Sequence, residues 1–151
     1  MTCLPLLLID ANSPQSADLT VPGAASEPHV RRLPNDADLS GLDLHGVARI
    51  ELDFPKFTDG RAFSQAVLLR RRHGFQGDIR AGGDVRVDLL QQLSRCGFTS
   101  AVLASEKEVA LGQQLLASFS GFYQGDAHRV APHFVPLPLV ANRPSTSGAS
   151  A

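Results

Sequence analysis

The chain has 151 residues, a net charge of −1 and 43% hydrophobic residues. That length suits one domain with an ordinary core, and that apolar content excludes disorder throughout. The charge balance gives no reason to expect nucleic acid or a membrane surface as partner, and two cysteines, Cys3 and Cys96, fit a reducing compartment.

Leu4 to Ile9 is mostly apolar, but it is broken by Pro5 and too short to span a bilayer. No basic stretch precedes it and no small-residue cleavage site follows, so the expectation is a soluble cytoplasmic protein without a signal peptide. Residues 1–30 read as a loose N-terminal arm, since 11–30 is rich in Pro, Ser, Ala and Gly without an apolar period. Residues 31–139 read as one compact α/β domain, and 140–151 as a disordered tail.

Within that compact part, Val47 to Asp53 is a predicted strand. Thr58 or Asp59 can cap a helix running to about His73, with Arg70, Arg71, Arg72 and His73 in its last turn, where positive charge suits the helix dipole. Asp78 to Ala81 is a short strand ending in Gly82-Gly83. Asp84 is expected to cap a second helix, with Val85, Leu89, Leu93 and Cys96 on one face. Ser100 to Ala104 is a third strand. Ser105 and Glu108 form a capping box for a third helix, to about Phe122, with Val109, Gly112, Leu116 and Phe119 as its buried stripe. Val130 to Leu139, broken by prolines, suits an edge strand or an extended arm.

A short pattern supports this order: Arg72-His73-Gly74-Phe75, Arg95-Cys96-Gly97-Phe98 and Ser120-Gly121-Phe122. The glycines are 23 and 24 residues apart. Each falls where a helical period stops, as a left-handed cap followed by an apolar residue would. The spacing leaves room for one strand, one loop and one helix. The expected fold is therefore a small, mainly parallel sheet of about four strands with three main helices, built from consecutive β-α units.

The densest chemistry is Asp53-Phe54-Pro55-Lys56-Phe57-Thr58-Asp59-Gly60-Arg61, between a strand and a helix. In open α/β sheets ligands bind at that edge. Lys56, Asp59 and Arg61 follow the first strand, and Arg80 and Asp84 follow the second, so both sets are expected at one mouth. Gln65, in the first turn of the helix, could reach it too. Basic side chains beside free helical N–H groups suit a small oxyanion or carboxylate. An ion-pair and capping network that fixes the loops would gather the same residues. Gly82-Gly83-Asp84 is a weak phosphate-cradle signal. Cys96 continues an apolar stripe at a helix C-terminus, which fits a core thiol better than a reactive one. The five histidines show no metal spacing, and no CxxC, GxGxxG, P-loop or GxSxG is present, so no redox cofactor or metal is expected.

The string FPKFTDGRAFSQAVLLRRRHGFQGDIRAGGDV, followed by RCGF, resembles the bacterial domain of unknown function 934 family. Members usually carry FPKFTDGRGYSQARLLR, then a G-[YF]-x-G-E-[LI]-R-A-V-G-D-V-L-R-D-Q-L segment, then RCGFD. The resemblance covers about Leu33 to Gln124. This chain departs from the pattern at Ala62 and Phe63, at Gly82, at Val87 and at Thr99. The family is generally encoded beside assimilatory sulfite reductase and is often labelled an oxidoreductase of sulfite reduction. The resemblance thus implies an accessory protein acting alongside sulfite reductase, without a redox cofactor of its own. A small enzyme or binding domain for a sulfur oxyanion or a phosphorylated metabolite, and a structural subunit gripping a partner with PHFVPLPLV, are the alternatives. The residues alone name no reaction.

Overall fold

The computed structural model describes residues 6–12, 29–119 and 121–132. Five strands form one sheet: β1 (Leu7–Asp10), β2 (Val30–Leu33), β3 (Arg49–Phe54), β4 (Asp78–Gly83) and β5 (Ser100–Leu103). Their order across the sheet is β1-β5-β4-β3-β2, and every neighbouring pair is parallel. Three α-helices follow β3, β4 and β5: α1 (Arg61–Arg71), α2 (Leu90–Cys96) and α3 (Glu106–Ala117). A single 3₁₀ turn, Val87–Leu89, leads into α2.

The expected α/β fold is present, with five strands instead of about four. The added strands are the two edges. Leu7–Asp10, assigned by the sequence to a loose arm, pairs with β5, and Val30–Leu33 pairs with β3. The run Val130 to Leu139 is described only as far as Pro132, and those three residues belong to no strand.

The chain steps from β3 to β4 to β5 in one direction across the sheet. Right-handed crossovers that all step the same way leave their helices on the same face. That face is apolar: Ile50, Leu52, Phe54, Ile79, Ala81, Ala101 and Leu103 pack with Ala62, Ala66, Leu69, Leu90 and Leu93 in one cluster. Phe54, Phe63 and Phe98 join the layers, with ring centroids 5.2, 5.9 and 6.3 Å apart. α3 lies over β1, and a Cβ on its Gly112 would meet Leu8 at 2.7 Å and Leu90 at 2.6 Å.

Alternation sends the intervening residues to the other face. There the register sets Arg32, Glu51, Arg80, Ser100 and Leu7 in one row across all five strands. Arg49 and Asp78 form a second row. Arg80 and Arg49 are nevertheless buried.

Local signals account for the helix ends unevenly. Ser105 caps α3 as expected, accepting from the Glu108 N–H, while Glu108 accepts from the Ala104 N–H. α3 ends at Ala117, so Phe119 leaves the buried stripe and is 61% exposed. Gly74 and Gly97 take positive φ after α1 and α2; the third copy of the pattern includes Ser120, which lies outside the described residues. At the C-terminal end of α1, Arg70 donates to the carbonyls of Gly97, Phe75 and Gly77 at 2.7–2.8 Å. One guanidinium so ties the helix to the entries of β4 and β5.

Candidate functional site

The segment Phe54 to Arg61 leaves the carboxyl end of β3, turns over Lys56 and Asp59, and enters α1. Residue 60 is the formal cap of α1 and contributes no side chain. Asp59, one position earlier, instead accepts from the Arg61 backbone N–H at 3.2 Å. The same carboxylate receives the Arg61 guanidinium at both oxygens, 3.0 and 2.7 Å, and the Asn35 amide at 2.6 Å. These bonds, those from Arg61 foremost, hold the Asp59 carboxyl well below its usual range, down to about 2. Asn35 lies two residues beyond β2, so this contact ties the exit of that strand to the loop that follows β3.

Asp84 braces the other side. It does not cap α2, because its carboxylate accepts from the Phe57 N–H at 3.1 Å and pairs with Arg86 at 3.4 Å. The Arg86 guanidinium in turn lies 4.1 Å over the Phe57 ring. Gly83 permits the approach of the two strand ends. Its φ is +89°, and a Cβ there would meet the Phe54 carbonyl oxygen at 2.4 Å and the Asp53 carboxylate at 2.7 Å. Gly83 therefore serves backbone packing, and Gly82, where a Cβ meets nothing within 4 Å, serves neither need.

The loop is thus a cross-braced platform. Its carboxylates Asp59 and Asp84 are turned onto its own guanidinium and amide groups. Pro55, Lys56, Phe57 and Thr58 face solvent, with Phe57 38% exposed.

Two residues expected at this mouth are elsewhere. Arg80 lies inside β4, not beyond it, and alternation turns it onto the polar face away from the helices. It is 2% exposed there, 3.8 Å from Glu51 and 3.9 Å from Asp78. Burial and the nearby Arg49 lower its pKa, against the pull of Asp78 and Glu51. Gln65 is buried on α1. Its amide donates to the carbonyls of Pro34 and Ala37, at 2.9 and 3.4 Å, on the connection between β2 and β3. The mouth therefore gathers Lys56, Asp59, Arg61 and Asp84, but neither Arg80 nor Gln65.

The polar face has its own hub, absent from the sequence reading. Asp78 accepts from Arg49 at 2.9 Å, from the Thr99 hydroxyl at 2.5 Å and from the Ser100 hydroxyl at 2.8 Å. Arg32 pairs with Glu51 at 2.6 Å. Thr99, where the family pattern carries aspartate, supplies a donor that an ionised carboxylate could not. Asn35 and Arg86 carry no motif, and Asp78, though inside the quoted string, gives no local sign of this role. Only the strand order reveals them.

Cys96 is 8% exposed, accepts from the Gln92 amide at 3.4 Å, and has its thiol pKa raised by burial. No three His, Cys, Asp or Glu side chains among the described residues are grouped so as to hold a metal ion. No helix among them is long and apolar enough to cross a membrane.

A comparison with curated proteins finds no match. The family model for bacterial proteins of unknown function DUF934 matches residues 31–134, a span that contains the braced loop, the buried Arg80 and Cys96. That span is most of the chain, and the protein belongs to this family.

Proposed function

We propose that the protein is an accessory factor of assimilatory sulfite reduction, which docks on sulfite reductase through the Phe54–Arg61 loop and brings no redox cofactor of its own. One observation carries this reading. The most distinctive string of the chain is built as a rigid, outward-facing platform, with its charges spent on internal bracing and Lys56, Phe57 and Thr58 displayed. A braced loop loses little conformational freedom on docking, which favours recognition of a partner surface. An aromatic ring backed by a guanidinium is also a common anchor at such contacts. The pathway comes from the resemblance to proteins encoded beside sulfite reductase. An oxyanion site of Lys56, Arg61 and Arg80 gains less support, since Arg80 lies on the polar sheet face and Arg61 is held by Asp59.

The test is direct binding of the purified protein to purified sulfite reductase by interferometry. Saturable binding is expected, weakened at least about tenfold by Phe57→Ala with Lys56→Glu. Absence of binding, or binding indifferent to that double change, would refute the reading. So would a stoichiometric visible chromophore in the purified protein.

A further inference from the structure

A cleft of about 300 Å³ opens between α1 and the connection from β2 to β3, away from the braced loop. Its volume is at the lower end of the range for small-molecule sites. One rim carries Asp38, and the C-terminal end of α1 carries Arg72 and His73. Leu39, Leu68 and Gln65 complete the wall. Leu68 is 41% exposed, an unusual position for a large apolar side chain, while Leu39 is buried.

Gln65 braces the wall of the cleft. Both groups that its amide meets are carbonyl oxygens, so Nε2 must face them and the orientation is fixed. Oε1 is then buried, on a residue only 6% exposed, and accepts no hydrogen bond. The charges at the rims are likewise uncommitted. Neither Asp38 nor Arg72 is in an ion pair among the described residues. The Asp38 carboxylate is fixed by the Ser40 N–H at 2.8 Å, which keeps it ionised.

We propose that this cleft binds a small zwitterion, an α-amino acid with an apolar side chain. Its carboxylate meets Arg72 and His73, its ammonium group meets Asp38, and its side chain lies on Leu39 and Leu68. Charges of both signs on opposite rims of one small apolar cleft select for a molecule that carries both. The site shares no residue with the docking loop, so the two readings stand or fall separately.

NMR titration of the full chain with L-leucine, isocaproate and isoamylamine tests the proposal, the last two each lacking one charged group. Saturable shifts at Ser40, Ser64, Gln65 and His73 are expected with leucine alone, in the millimolar range. Asp38→Asn keeps the acceptor for Ser40 but not the charge, and Arg72→Gln removes the opposite charge. Each should weaken leucine at least about tenfold while the rest of the spectrum is unchanged. No saturable shift with leucine, equal binding of either half-molecule, or leucine affinity unaltered by both variants would overturn it.

Discussion

The carboxylate of Asp84, one residue beyond β4, accepts the backbone N–H of Phe57 on the loop that follows β3. This bond holds the most distinctive string of the chain in place from a neighbouring strand. Asp84→Ala should cost about 1 kcal/mol in urea unfolding, with unchanged m-value. Hydrogen exchange at Phe57 and Thr58 should rise. Asp84→Asn, which keeps an acceptor, should preserve the protection. Equal exchange in all three proteins would show that the loop is held by other means.

The Asp59 carboxyl provides an acid-side signature. Its folded-state value, about 2, is below the ordinary 3.8. A depressed pKa means that its contribution to stability is present above pH 3.8 and is lost as pH falls towards 2. Thermal melts across that window should therefore decline less steeply for Asp59→Asn than for the parent. A carboxyl titration by NMR that places Asp59 near 3.8 would contradict the bidentate pair.

Arg61 and Arg80 should respond very differently to the same change. Arg61 is 60% exposed at its side chain, and Arg61→Gln should lower the unfolding midpoint by no more than the small worth of an exposed ion pair. Arg80 is buried beside Glu51 and Asp78, and Arg80→Gln should cost on the order of 3 kcal/mol by leaving those carboxylates under-compensated. Comparable small effects at both positions would mean that Arg80 is not held as described.

Gly82 and Gly83 are adjacent but not equivalent. Gly82→Val introduces a side chain with a better strand preference into open space, and should change stability by no more than about 0.5 kcal/mol or raise it. Gly83→Ala forces a positive φ and a clash with the Phe54 carbonyl, and should cost more than about 2 kcal/mol. Denaturant midpoints of the two variants decide the matter.

Cys96→Ala should cost roughly 1–2 kcal/mol through lost packing. In a Cys3→Ser background the remaining thiol should react with Ellman's reagent only after denaturant is added, because burial both shields it and raises its pKa. Rapid reaction of the native protein would show an accessible thiolate.

The sequence disclosed what is set locally. The Ser105–Glu108 box, the glycine after α2 and the order of β3, β4 and β5 depend on neighbours a few residues apart. Asp84 was misread as a cap because its better partner, Phe57 N–H, is 27 residues away in the chain. Arg80 is expected at the mouth when it is taken to follow the second strand; the strand continues to Gly83, and alternation turns its side chain to the polar face. β1 and β2 escaped notice for a related reason. Each is four residues long, β2 exposes two arginines, and neither shows the period of a buried strand. Their identity lies in partners, not in their own composition.

The pairing of β1 with β5 joins Leu7 to Ser100 and Asp10 to Leu103. Among the described strands, the first in the chain thus waits for the last, with the other three made in between. Loop closure on that scale is slow, and until it occurs β5 presents a bare edge and α3 lacks the surface that Leu8 provides. The late docking of a four-residue strand is therefore the step at which this chain is most exposed to intermolecular strand pairing during synthesis.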